Sequence, residues 1–173
     1  MQLDPDALDA RTRTYSWSNP LISAAQAGQR TGLETLLAMT RGELPPPPIM
    51  LTLGVERIVP EDGHVTVFMT VGEFHYNPIG SVHGGVIATL LDTATGCAVH
   101  TTLPGGVGYT SLDLSTRFLR PVTLASGRLR CEGTVLNRGR TTALAEAHLF
   151  DAADRLVAHA TSTCLILPRQ EAG

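Results

Sequence analysis

One stretch, Asn77-Pro78-Ile79-Gly80-Ser81-Val82-His83-Gly84-Gly85-Val86-Ile87-Ala88-Thr89-Leu90-Leu91-Asp92, holds the side chains and backbone best suited to chemistry. Gly84 and Gly85 sit where a loop gives way to a helical pattern, and without a Cβ the backbone can approach a ligand closely. The first amides of a helix have no internal partner and lie at the positive end of its dipole. They are ready donors to an oxyanion that develops during acyl transfer, and removing one such donor costs about 2.7–4 kcal/mol of transition-state stabilisation. Asp92 follows on the same helix among Leu90, Leu91, Ala94 and Gly96. A carboxylate on a buried helix is expensive unless it is paired or used. It reads either as a working group or as a hydrogen-bonded structural acid, and His83 reads either as a participant or as a brace for the loop.

Helix geometry limits how these groups can cooperate. Gly84 and Asp92 share a face but are separated by about 12 Å along the axis at ~1.5 Å per residue. One chain cannot aim both at a single reacting carbon, which needs contacts near ~3 Å. Two copies of the helix, antiparallel across a two-fold axis near Ala88, would set Asp92 of one beside Gly84 of the other. The spacing therefore predicts a composite site at the interface of an obligate dimer.

The remaining chain reads as the scaffold for that helix. Residues 1–18 are polar and expected to be mobile. A helix is expected from Asn19-Pro20, with asparagine as cap and proline at the first position. A second is expected after Thr31, through Leu33, Leu36, Leu37 and Met39. Pro45 to Pro48 form a stiff, extended boundary. Strands are predicted over Ile49 to Val59 and His64 to Val71, joined by the turn Glu61-Asp62-Gly63, with a loop over 72–82. From Gly84 to about His100, Ile87, Leu90, Leu91, Ala94, Cys97 and Ala98 form one apolar stripe, which Pro104-Gly105-Gly106 terminates. Four further strands are predicted: Tyr109 to Leu119, stopped by Pro121; Arg128 to Val135; Thr142 to Phe150; and Leu156 to Leu167. In the second of these, Leu129, Cys131, Gly133 and Val135 alternate with charged residues, giving one buried and one wet face. The expected class is α+β, with an antiparallel sheet of six strands wrapped around one long central helix. The expected division is an N-terminal helical extension over 1–48, ending in the proline run, and a core domain over 49–168.

Composition narrows the function. The 173 residues carry a formal net charge of -3 and 43% hydrophobic residues, enough for a core and without a basic run. That excludes nucleic acid and polybasic attraction to a membrane surface. All 13 basic residues are arginine, so a lysine Schiff base is ruled out. Cys97, Cys131 and Cys164 form neither a Cys-x-x-Cys pair nor a disulfide framework. Cys97, on the apolar stripe, is expected in the core. His75, His100, His148 and His159 share no metal-ligand spacing and are expected at surface or strand positions; no metal site is predicted. Gly105-Gly106-Val107-Gly108 lacks the context of a phosphate loop and reads as a turn. No Gly-x-Ser-x-Gly elbow is present, which argues against a serine hydrolase. Without a basic and apolar leader or a run of ~20 apolar residues, the expected location is the cytoplasm.

Asn77, His83-Gly84-Gly85 and Asp92, at these spacings, resemble the phenylacetate-degradation branch of the hotdog-fold acyl-CoA thioesterases. Phe118-Leu119-Arg120-Pro121 resembles the strand end that follows the central helix in that family. Asn137-Arg138-Gly139-Arg140-Thr141 resembles its turn associated with CoA. The similarity runs from about Ile49 to Leu167 and leaves the first 45 residues without a catalytic role. The resemblance implies a hotdog fold and hydrolysis of acyl-CoA thioesters to a free acid and CoA. It implies Asp92 as nucleophile or general base, and the Gly84 amide, with Gly85, polarising the carbonyl. Asn77 would orient the thioester or the attacking water, and His83 would assist by hydrogen bonding. Ser111, or Thr110 in its place, would supply a nearby hydroxyl, and Gly139, Arg140 and Thr141 would contact CoA. No cofactor is implied, since CoA is part of the substrate, and the expected assembly is a homodimer or homotetramer. Two other functions on the same fold stand beside this one. A non-catalytic acyl-CoA binder gains nothing from Asp92, and a dehydratase would want a paired Asp and His in a different arrangement.

Overall fold

The computed structural model describes residues 10–27 and 30–168. Its axis is helix α4 (Gly84–Thr101), preceded by α1 (Pro20–Ala27), α2 (Gly32–Thr40) and α3 (Pro48–Leu53). Seven strands surround it: β1 (Val55–Glu61), β2 (His64–Thr70), β3 (Tyr109–Ser111), β4 (Ser115–Phe118), β5 (Arg128–Arg138), β6 (Thr142–Phe150) and β7 (Leu156–Ile166). All pairings are antiparallel, in the order β1-β2-β5-β6-β7-β3, with β4 also on β7. Among the described residues, no helix is long and apolar enough to cross a membrane.

The sheet curls around α4 because alternate residues on its strands face inward. Val65, Val67 and Met69 of β2, and Leu129 and Cys131 of β5, meet Leu90, Leu91 and Ala94 in one buried cluster. Of the predicted stripe, Ile87, Leu90, Leu91, Ala94 and Ala98 are buried, and Cys97 is half-buried. The contact is tightest where α4 crosses β5. A Cβ on Gly133 would stand 2.2 Å from the Ala94 carbonyl oxygen, so only glycine lets helix and strand come this close.

The predicted sheet differs from the observed one in two places, each for a local reason. Ile49 to Val59 is not one strand. Pro48 opens α3, and Gly54, left-handed at φ 77°, closes it before β1 starts. A short apolar run does not distinguish helix from strand by its period; proline at the first helical position and glycine after the last decide it here. Tyr109 to Leu119 breaks into β3 and β4, giving seven strands instead of six. At the break the Asp113 carboxylate accepts the Thr163 N–H at 3.1 Å, and its carbonyl accepts the Ser162 hydroxyl at 2.8 Å. These bonds take the place of a regular ladder.

The N-terminal helices form as their caps predict. Asn19 Oδ1 accepts the Leu21 N–H at 3.0 Å, and Thr31 with Glu34 makes a reciprocal capping box. Helix α2 is seated on the end of α4. The Gly32 N–H donates to the Leu103 carbonyl at 3.0 Å, and Leu36 enters the main core. Of the segment expected to be mobile, residues 1–9 lie outside the described residues. Residues 10–18 are exposed and tethered. The Arg13 guanidinium donates to the carbonyls of Leu51 and Thr52, and Arg11 pairs with Glu73 at 2.9 Å.

The Gly133 contact has a thermal consequence. Overpacking of about 1–3 kcal/mol, at ~2–4 °C per kcal/mol for a chain of this size, predicts that Gly133→Ala lowers the melting temperature by roughly 2–12 °C. Gly108→Ala, whose new Cβ would meet only the Leu167 side chain at 3.5 Å, should change it little. Equal calorimetric midpoints for the two variants would contradict this packing.

Candidate active site

Asp92 is half-buried on α4 and faces β3. The Ser111 hydroxyl donates to Asp92 Oδ1 at 2.9 Å. Strand alternation explains why Ser111 and not Thr110 meets Asp92. Tyr109 and Ser111 point toward α4, and Thr110 between them points away. Tyr109 approaches so closely that a Cβ on Gly96 would stand 3.0 Å from its ring. Asp92 Oδ2 has no hydrogen-bond partner among the described residues.

The titratable groups nearest Asp92 are held in their neutral forms. Burial, and then the nearby Asp92 charge, push the Cys97 thiol up to about 12. Burial also lowers the pKa of His100 and raises that of the Tyr109 phenol, favouring the neutral form of both. A cavity of about 270 Å³ opens at Asp92 and Ser111. Its other walls include Leu36, Met39, Ile49 and Met50, from α2 and α3. Two residues of the N-terminal extension, Leu36 and Met39, thus line the same cavity as Asp92.

The second cluster surrounds the start of α4. His83 is its cap, with Nδ1 accepting the Gly85 N–H at 2.9 Å. In the neutral ring this bond puts the proton on Nε2 and leaves it free to donate. It also occupies the Gly85 amide. The Gly84 amide, the first of the helix, has no partner among the described residues. The ring of Phe118 lies across it, 3.3 Å from where a Gly84 Cβ would be. Beside Gly84 is a cavity of about 340 Å³, lined by Ser81, Ile87, Phe118 and Arg120 among others.

Asn77 shapes the loop that delivers His83. Its Oδ1 accepts the N–H of Ile79 at 3.0 Å and that of Ser81 at 3.3 Å, and its Nδ2 donates to the Ser81 hydroxyl at 3.1 Å. His75 carries the next tie. It is 3% exposed, on a 3-10 turn, and not at the surface or strand position predicted for it. Its Nδ1 accepts the Gly72 N–H at 3.0 Å, its Nε2 donates to the Leu53 carbonyl at 2.7 Å, and its carbonyl accepts the His83 N–H at 2.8 Å. One buried residue thus connects α3, through its ring, to the entry of α4, through its backbone carbonyl. His100 also departs from its expected position, half-buried on α4. Among the described residues no cluster of three or more His, Cys, Asp or Glu could hold a metal ion.

Within one chain, then, the predicted residues form two groups. Asp92 and Ser111 are together; Asn77, His83, Gly84 and Gly85 are together, about 12 Å of helix away. Gly139, Arg140 and Thr141 are exposed at the tip of the β5–β6 hairpin. The Thr141 carbonyl accepts the Ile166 N–H at 2.8 Å, and Ile166 pairs with Tyr109. The hairpin tip is therefore two strand spacings from Tyr109, about 10 Å, on the Asp92 side of the site.

An antiparallel sheet curled around one long central helix is the hotdog architecture. Comparison with known proteins agrees. Residues 79–158 match the thioesterase superfamily model. Acyl-coenzyme A thioesterase 13 of Homo sapiens is 33% identical over 102 residues, covering 58% of this chain and 71% of that protein. The structure of a phenylacetic acid degradation-related protein of Ralstonia eutropha superposes with a TM-score of 0.69 at 34% identity, covering 75% of this chain and 98% of that one. A Streptococcus mutans protein solved bound to acetyl CoA superposes with a TM-score of 0.60 at 30% identity, covering 66% of this chain and 90% of that one. The chain belongs to the hotdog-fold thioesterase superfamily, among the relatives of the phenylacetate-degradation enzymes. It spans 56% to 71% of the lengths of two of the curated relatives it matches.

His75 gives the fold a pH dependence of known sign. Burial lowers its pKa below the ordinary 6.5, so between the two values the unfolded chain binds more protons than the folded one. Stability then rises with pH through that window: the contribution is complete above about 6.5 and lost as pH falls toward the folded-state value. His100 shifts in the same direction. The urea midpoint should be lower at about pH 5.5 than at about pH 7.5, and the difference should shrink in His75→Gln. An identical pH dependence in both proteins would contradict this role for His75.

Proposed function

We propose that the protein hydrolyses acyl-CoA thioesters to a free acid and CoA, in a site built from two copies of the chain. The observation that carries this reading is the Asp92–Ser111 hydrogen bond of 2.9 Å at the mouth of a largely apolar cavity. The serine hydroxyl holds Oδ1 and so aims the unpartnered Oδ2. That oxygen can remove a proton from water as the water attacks the thioester carbon. It can also attack the carbon itself, forming an anhydride that water then opens, which regenerates the carboxylate. Either route breaks the C–S bond, leaves the acyl group as the acid and releases CoA as the thiol.

The Gly84 amide of the second copy polarises the carbonyl, and His83 Nε2–H donates beside it. Asn77 holds the loop that carries both and orients the thioester or the water. The Gly85 amide, already donating to His83, acts through that ring. At the far end, Gly139, Arg140 and Thr141 meet CoA, with the exposed Arg140 guanidinium suited to its phosphates. Two features support pairing of subunits: among the described residues the outer edge of β3 has no neighbouring strand, and Leu112, Phe118 and Leu119 are 58%, 56% and 48% exposed nearby. The assembly is a dimer, or a tetramer of paired dimers. Three free cysteines fit a cytoplasmic location, where thiols stay reduced.

The direct test is thiol release from aromatic and aliphatic acyl-CoAs by wild type and Asp92→Asn. Turnover should fall by about 10²–10⁴ in the variant, the range for a positioned acid–base or nucleophilic group. Loss of only a few-fold would refute the role of Asp92. Tight binding of acyl-CoA without turnover by wild type would favour a non-catalytic binder.

A further inference from the structure

The segment before β1 carries a feature that the catalytic reading does not use. The Asp92 cavity has a polar end at Asp92 and Ser111 and an apolar end made by α2, α3 and Ile58. Beyond that apolar wall lies a larger cavity, about 640 Å³, between α2, α3 and β1. Leu36, Met39, Met50 and Ile58 line both spaces. Among the described residues, these four side chains alone are shared between the carboxylate chamber and the outer one. They differ in freedom: Leu36 and Ile58 are 4% and 7% exposed and fixed in the core, whereas Met39 and Met50 are only half-buried. An unbranched thioether changes rotamer readily and fills or vacates irregular space at little cost.

We propose that α2 and α3 form the acyl-chain subsite of this protein, and that Met39 and Met50 are the gate through which a linear fatty acyl chain passes from Asp92 into the outer cavity. The inference rests on the thioesterase reading of Asp92. The inner chamber, about 270 Å³, has room for a short acyl group. An acyl group up to about that size ends against the methionines. A longer chain displaces them and lies along Leu37, Leu51 and Val55 in the outer cavity. The shared wall carries no charged side chain and suits an alkyl chain, and the charged residues that border the outer cavity, Glu56 and Arg57, are exposed. The N-terminal helices thereby become determinants of chain length, and Met39 and Met50 specificity residues that touch no reacting atom.

The test compares acetyl-, hexanoyl-, dodecanoyl- and hexadecanoyl-CoA with wild type, Met50→Trp and Leu37→Trp. The readout is the ratio of kcat/KM for dodecanoyl-CoA to that for acetyl-CoA. Wild type should hydrolyse dodecanoyl-CoA, and each tryptophan should lower the ratio by at least about tenfold, the scale of discrimination by lost apolar pocket space. Leu37 borders only the outer cavity, so its variant keeps the question answerable if Met50→Trp does not fold. A ratio unchanged in the folded variants, or a wild type that rejects dodecanoyl-CoA, would overturn the proposal. If wild type releases no thiol from any ester, the thioesterase reading fails separately. The subsite is then read by fluorescence of bound cis-parinaric acid: binding by wild type that Leu37→Trp weakens supports it, and no binding overturns it.

Discussion

A straight α-helix keeps its first amide and its ninth residue about 12 Å apart, and the arrangement of this protein depends on that separation. Under the proposed reading the Gly84 amide polarises a carbonyl and the Asp92 carboxylate attacks one or activates the water that does, but not on the same carbonyl in the same chain. The fold does not bend α4 to bring them together. Gly133 against Ala94 and the buried leucines hold the helix firmly in the curl of the sheet. What remains outside the curl is a half-exposed face with small residues at Gly84, Ala88 and Asp92. Under the proposed reading, a second antiparallel copy of that face completes the site.

Each half is prepared by its own local chemistry. At the amide end, buried His75 ties the loop to α3, Asn77 closes the loop on itself, and His83 caps Gly85 while leaving Gly84 unpaired. At the carboxylate end, β3 alternation supplies Ser111, and burial keeps the Cys97 thiol protonated. Capping Gly85 with a side chain costs the site a possible second donor. In return it sets the tautomer of the neutral His83 ring, whose Nε2–H takes the place of that donor under the proposed reading.

Much of this was legible in the sequence because it is local. The caps at Asn19 and Thr31, the apolar stripe of α4 and the alternation of β5 are short-range patterns, and all three appear in the structure. So is the grouping of His83 with Gly84. What the sequence did not yield depends on tertiary contact. Ile49 to Leu53 has the composition of a strand, and only its flanking proline and glycine signal a helix. Asp113 interrupts a strand through bonds to β7, fifty residues away in sequence by its Thr163 contact. His75 looks like a surface residue until Leu53 and Gly72 are folded around it. The approach of Leu36 and Met39 to Asp92 could not be read from spacing, because periodicity shows that α2 has an apolar face but not what that face meets.

Subunit complementation tests the shared site most directly. Gly84→Pro removes the amide at a helix position where proline is tolerated, after an extended residue that accepts it. Asp92→Asn removes the carboxylate. Each variant alone should be nearly inactive. Refolded together in equal amounts, they should recover roughly a quarter of wild-type turnover, since half of the dimers are mixed and each mixed dimer holds one intact site. Verified mixed dimers that remain as inactive as either parent would contradict the account and place both groups in the service of one chain.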